Sequence, residues 1–72
     1  MNTVEIGRYR HYKGQEFTVI RVAIDSETKE ELVIYRKDFG DHGLKVRPKS
    51  QFLGTVEVEG ETVPRFRYLG RR

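Results

Sequence analysis

Arginine and tyrosine occur side by side in this sequence, and together they offer its clearest chemistry. The stretch GRYRHYKG, from Gly7 to Gly14, holds two arginines, two tyrosines, a histidine and a lysine, and arginine returns in VRP and RFRYLGRR. A guanidinium can hold a phosphate or carboxylate through paired hydrogen bonds, and a tyrosine ring can stack on a nucleic-acid base. We therefore predict a surface for an anionic ligand, either nucleic acid or an acidic protein segment. The candidate residues are Arg10, Arg47, Arg65, Arg67, Tyr9, Tyr12 and Tyr35.

The stretch KDFGDHG contains residue types that bind metals. Asp38, Asp41 and His42 would be a plausible ligand set for a divalent cation, but their spacing matches no established motif. The DFG triplet also occurs in protein kinases, whose other motifs are missing from this chain of 72 residues. The glycines instead favour a loop from which Phe39 reaches the core. We predict no metal and no cofactor.

Serine and histidine side chains are the material for nucleophilic catalysis. Ser26 lies in DSETKEE, without the Gly-x-Ser-x-Gly context of a nucleophile elbow. The same stretch fits a hairpin loop in which the side chains of Asp25 and Ser26 bond to nearby backbone amides. We expect a protein that is not an enzyme, and a small hydrolase or metal enzyme is the third alternative.

Composition limits the size and setting of the protein. A chain of 72 residues with 36% apolar content lies near the lower limit for one hydrophobic core, so we expect one small β-barrel domain over residues 1–72. The absence of cysteine suits a reducing cytosol, and no apolar run has the length of a signal peptide or a membrane span. The net charge of +3 permits an anionic partner without requiring one. We predict a cytoplasmic protein without membrane contact.

Period-two alternation dominates the chain, and no window shows a helical stripe. It predicts an early strand in GRYRHYKG, strands over 16–25, 31–36 and 44–48, a helical turn over 49–54 capped by Ser50, and a final hairpin over 55–68 that turns at Gly60. The elements predict an all-β fold, a small and partly open SH3-like barrel of about five or six antiparallel strands with one short helical turn. An OB-type barrel is the alternative.

The alternation also assigns side chains to the interior. On the early strand, Arg8 and Arg10 should reach solvent while Tyr9 packs against the barrel. Strands curled around one interior should draw their core from alternate apolar positions. The predicted core residues are Phe17, Ile20, Val22, Ile24, Val33, Ile34, Val46, Phe52, Val56 and Phe66.

Two pairs of basic residues share strand faces further along the chain. Lys45 lies on the same face as Arg47, and Arg65 on the same face as Arg67. Neighbouring strands would then form a guanidinium cluster. We expect Arg47 and Arg65 to contribute more to binding than Arg8, because Arg8 is among the first ordered residues of the chain. The acidic side chains that could instead pair with these arginines are Glu57, Glu59 and Glu61.

Several spaced motifs resemble those of a bacterial family, domain of unknown function 1653. The stretches YRHYKG, DSETKEELVIYR, FGDHGLKVRP, QFLGTVEVEG and VPRF occur here in the family's order. The resemblance implies a small SH3-type barrel that often stands alone as a bacterial protein, and it implies no activity. This chain departs from the family pattern at Lys45, Asp25 and Gln51, which stand where tryptophan, histidine and methionine are usual.

Two kinds of binding module fit these observations. The first holds an anionic ligand on the arginine and tyrosine surface. The second is a protein or peptide adaptor that uses an aromatic groove or a sheet edge, as SH3-type folds do. Salt separates the two, because binding to phosphates weakens steeply as salt rises and binding in an apolar groove weakens little.

Overall fold

Seven strands and one helical turn make up residues 4–71, which are the residues that the computed structural model describes. In chain order they are β1 (Gly7–His11), β2 (Glu16–Ile24), β3 (Glu31–Lys37), β4 (Leu44–Pro48), α1 (Lys49–Phe52), β5 (Thr55–Val58), β6 (Glu61–Pro64) and β7 (Phe66–Gly70). The all-β class and the single helical turn are confirmed. The described strands number seven rather than five or six, because the predicted final hairpin contains three strands.

The strands form two antiparallel sheets. One has five strands in the order β4-β3-β2-β1-β7, and the other is the ribbon β5-β6. Glu59 and Gly60 both have positive φ, 50° and 84°, which is the backbone of a tight two-residue hairpin. The chain then leaves the ribbon after Pro64 and returns to pair with β1. Over residues 4–71 the strands do not close into a barrel, and the SH3-like arrangement stays a prediction.

The core lies inside the curved five-stranded sheet and is rich in aromatic rings. Its buried residues are Val4, Tyr9, Phe17, Val19, Val33, Tyr35, Phe52 and Phe66, with Val22 and Phe39 packed against them. The predicted burial of Phe17, Val33, Phe52 and Phe66 is confirmed, as are the packing of Tyr9 and the inward position of Phe39. Ile34 and Val56 are half-buried.

Three predicted core residues are instead exposed: Ile20, Ile24 and Val46. The β2–β3 ladder shifts register between Val19 and Arg21, so a β-bulge at Ile20 breaks the regular alternation. After Val19, the next side chain of β2 that points toward the core is therefore that of Val22. Val46 lies opposite the half-buried Ile34, on the face of the sheet that points away from the core.

The structure confirms the predicted side-chain bonds of Asp25 but not the predicted cap of the helical turn. The Asp25 Oδ1 atom accepts hydrogen bonds from the amides of Glu27 and Thr28, at 2.9 and 3.2 Å, as predicted for the β2–β3 loop. These bonds hold the pKa of Asp25 below its usual value. The predicted cap at Ser50 is wrong, because the N-cap is Pro48, two residues earlier, and Ser50 lies inside α1; no side chain of residues 4–71 caps this turn.

Candidate functional site

A groove of about 430 Å³ runs between the end of β1 and the β5–β6 ribbon. Its basic and aromatic side is formed by Arg10, Tyr12 and Arg67. Its remaining lining residues are His11, Gly14, Val58, Val63 and Pro64. Positive charge thus lies beside an apolar wall, which is an arrangement suited to a ligand that has both an anionic and a flat apolar part.

The register of three strands places the two arginines together. Arg10 lies opposite Glu16 on β2 and opposite Arg67 on β7. The Arg10 guanidinium pairs with Glu16 at 2.9 Å, and Arg8 also bonds to that carboxylate. Hydrogen bonds from Arg10 and then Arg8 hold the pKa of Glu16 below its usual value. Arg67 forms no ion pair with an acidic residue of the described chain, so the groove keeps positive charge.

Tyr12 is an exposed aromatic residue fixed at the start of the β1–β2 turn. Its ring centroid lies 4.5 Å from that of His11, with 35° between the ring planes. Its amide donates a hydrogen bond to the carbonyl oxygen of Arg65 at 3.0 Å, and the Nζ atom of Lys13 is 5.9 Å from the ring centroid. Tyr12 is 39% exposed, so a flat ligand can reach it without any rearrangement of the core.

His11 joins this groove to the core. Its Nδ1 atom accepts a hydrogen bond from the amide of Lys13 at 3.2 Å, and its ring meets Phe66 edge-on at 5.1 Å between centroids. Burial lowers the pKa of His11, and the positive charges of Arg65, Lys13 and Arg47 lower it further. The imidazole is therefore mostly neutral at pH 7, because burial and the three nearby positive charges disfavour its protonated form.

The other candidate residues lie outside the basic side of the groove. The rings of Tyr9 and Tyr35 are in the core, where a ligand cannot stack on them. The Tyr9 hydroxyl donates to the carbonyl oxygen of Glu5 at 2.8 Å, and burial raises the pKa of Tyr9. The Nε atom of Arg47 donates to the Tyr35 hydroxyl at 3.3 Å.

The predicted cluster of Arg47, Arg65 and Arg67 is only partly assembled. Arg47 is on β4 and Arg67 is on β7, which are opposite edges of the sheet. The positive charges of Arg47 and Arg65 nevertheless both lower the pKa of His11. The Nε atom of Arg65 is buried and has no hydrogen-bond partner among residues 4–71. Within residues 4–71, none of these arginines pairs with Glu57, Glu59 or Glu61.

The carboxylates of the KDFGDHG loop bond to neighbouring protein groups. Asp38 accepts from the hydroxyl of Thr18 at 2.7 Å. Asp41 pairs with Lys37 at 2.8 Å and accepts from the amide of Gly43 at 3.0 Å, and these contacts lower its pKa. No group of three or more metal-binding side chains occurs in the part of the chain that the structure describes.

A second depression, of about 450 Å³, lies beside α1. Its charged lining residues are Glu30, Glu31 and Lys49. The ammonium group of Lys49 already pairs with Glu31. Glu30 forms no ion pair with a basic residue of residues 4–71, so the depression keeps negative charge and does not suit an anionic ligand.

The sequence pattern does not predict the apolar wall of the groove. Val58, Val63 and Pro64 belong to a hairpin that the alternation predicts, but their position next to Tyr12 depends on how the ribbon packs on the main sheet. The hydrogen bond from the Tyr12 amide to the carbonyl oxygen of Arg65, the residue that follows the ribbon, is part of that packing. Local sequence pattern carries no signal for it.

The fold and the groove define a small all-β protein with a basic and partly aromatic surface groove. The chain belongs to the family described as "Protein of unknown function (DUF1653)", whose sequence profile matches residues 7–68. A crystal structure of a protein from this family, from Bordetella bronchiseptica, is similar to it with a TM-score of 0.88 and 31% sequence identity, over 100% of this chain and 95% of that one. None of the curated proteins matches the chain. Within residues 4–71, α1 is the only helix, and its four residues are too few to span a membrane.

Proposed function

We propose that this protein is a non-enzymatic binding module that holds an anionic ligand, single-stranded nucleic acid, in the groove beside Tyr12. One observation carries the proposal: Arg10 and Arg67 are cross-strand neighbours that line the same groove as an exposed tyrosine ring. Two neighbouring arginines can hold phosphate groups of a nucleic-acid backbone, and a tyrosine ring stacks on any base. Such binding is expected to be weak and to depend little on nucleotide sequence.

The test is fluorescence anisotropy with a labelled single-stranded oligonucleotide across a salt series. Binding should weaken as salt rises, and Arg10→Ala with Arg67→Ala should reduce the slope of log K against log salt by about 1.4, or roughly 0.7 for each lost phosphate contact. The matched control is Arg21→Ala with Lys29→Ala, which removes the same charge from exposed positions outside the groove. Equal effects of the two double variants would contradict a site in the groove.

The tyrosine separates nucleic acid from other anions. Tyr12→Ala should weaken oligonucleotide binding, while Tyr12→Phe keeps the ring and should bind nearly as well as the parent protein. An acidic peptide that binds through the two arginines, with no effect of Tyr12→Ala, would show that the ligand is an acidic protein segment. No oligonucleotide binding even at low salt would rule out nucleic acid.

A further inference from the structure

The β4 strand forms one edge of the five-stranded sheet, and β3 is its only neighbour among the described strands. The amide of Lys37 bonds to the carbonyl oxygen of Gly43 at 3.0 Å, which sets the alternation of the β3–β4 ladder. In that alternation the amide and carbonyl groups of Leu44 and Val46 point away from β3. Pro48 continues this outward series and lacks an N–H group, as is usual for proline on an edge strand.

Beside these backbone groups lies an apolar strip on the face away from the core. Leu44 is 66% exposed and Val46 is 59% exposed. Val46 lies opposite Ile34, and the bulged Ile20 on β2 is also exposed. Exposed edges usually carry charged residues that prevent pairing with other chains, so two exposed apolar residues on an edge strand are unusual.

The charges around this edge are basic. Lys45 alternates with the two apolar residues, and Arg21 lies opposite Ile34 at the border of the apolar strip. Neither forms an ion pair with an acidic residue in the described part of the chain. A strand added to β4 would therefore meet the apolar side chains of Leu44 and Val46 on one face and the positive charge of Lys45 on the other.

A second copy of β4 is a poor match for this edge. Antiparallel pairing of two β4 strands about Val46 would place Lys45 of each copy opposite Arg47 of the other. Like charges directly opposite each other in a ladder are destabilising. The charge pattern instead calls for a strand with acidic residues at these positions.

We propose that β4 binds an extended segment of a partner protein, in which apolar residues alternate with acidic ones, as a further strand of the sheet. The main-chain groups of Leu44 and Val46 supply hydrogen bonds, the apolar strip covers alternate side chains, and Lys45 selects for negative charge. This site lies on β4 and is independent of the groove beside Tyr12.

The test uses two short capped peptides, one that alternates valine with glutamate and one that alternates valine with lysine. NMR titration of the full chain should show binding of the glutamate peptide, with slower hydrogen exchange at the amides of Leu44 and Val46. The lysine peptide should not bind. Equal binding of both peptides, or protection confined to other strands, would overturn the proposal.

Two variants sharpen the result. Lys45→Glu should weaken binding of the glutamate peptide on the order of fivefold and favour the lysine peptide, whereas Lys29→Glu, the same change in the exposed β2–β3 loop, should leave both unchanged. Val46→Pro removes the outward amide and should abolish binding of the glutamate peptide. If circular dichroism shows that the Val46→Pro variant is unfolded, the result for Lys45→Glu alone tests the proposal. Self-association of the parent protein that Val46→Pro removes would instead identify a second copy as the occupant.

Discussion

The rings of Phe52 and Phe66 stack almost parallel, with centroids 4.2 Å apart and 5° between their planes. Phe52 ends the helical turn α1, and Phe66 begins β7. Both rings also contact Tyr35 on β3, at 5.5 and 5.7 Å between centroids. These contacts join the helical turn α1, the interior strand β3 and the edge strand β7 through one aromatic cluster.

Truncation of Phe52 should therefore destabilise the whole fold. We expect Phe52→Ala to lower the free energy of unfolding by about 3–5 kcal/mol, the usual cost of removing a core aromatic ring. Its neighbour Leu53 is 38% exposed, so Leu53→Ala is the control and should cost much less. Urea denaturation measures both variants, and an unchanged midpoint for Phe52→Ala would contradict the central place of this ring.

The titration of His11 should make stability depend on pH. Its pKa in the folded protein is lowered from 6.5, mainly by burial, so the unfolded chain takes up a proton first as the pH falls. The contribution of the neutral imidazole to stability is complete above pH 6.5 and is lost as the pH falls through the folded pKa. His11→Gln should remove this loss of stability, which urea denaturation at pH values above and below 6.5 measures.

Gly7 should not tolerate a larger side chain. Its φ is +143°, and a Cβ atom there would lie 2.6 Å from the carbonyl oxygen of Gly70. Gly14 also has positive φ, +103°, but no atom of the described residues lies within 4 Å of the position that its Cβ would take. Gly7→Ala should therefore lower thermal stability more than Gly14→Ala, by about 1–3 kcal/mol. Equal melting temperatures for the two variants would show that β1 can move away from β7.

Divalent metals should not stabilise the protein. The carboxylates of Asp38 and Asp41 already accept hydrogen bonds from protein groups. An ion that bound tightly to the folded state alone would raise the melting temperature by mass action. Zinc, magnesium and manganese should leave that temperature unchanged in thermal melts. A rise that His42→Ala abolishes would show that the loop is a metal site.

The sequence shows the position of each strand more clearly than the direction of its side chains. The predicted strand over 16–25 is observed as Glu16–Ile24, because β-branched residues and flanking turn formers mark its limits. The bulge at Ile20 leaves no trace in the alternating pattern, and it reverses the faces that follow. The exposure of Val46 also depends on β4 being an edge strand, which is a property of the whole sheet.

The candidate groove is partly predictable for the same reason. Arg10 and Tyr12 are neighbours in the sequence and remain neighbours in the groove. Arg67 reaches them only because β7 pairs with β1, and Arg47 is carried to the other edge of the sheet. Residue type and spacing thus indicate the chemistry, while the contacts between distant segments decide which residues share a site.

The pairing of β1 with β7 has a consequence for how the chain folds. β2, β3 and β4 are joined by short loops and can pair early in folding. The β1–β7 ladder pairs Tyr9 with Tyr68, which is almost the whole chain away, so closing this long loop costs more entropy. This closure should come after the main folding barrier. Phe66→Ala should then speed unfolding strongly in stopped-flow experiments and slow folding only slightly, whereas Val33→Ala, in the middle of the local meander, should slow folding.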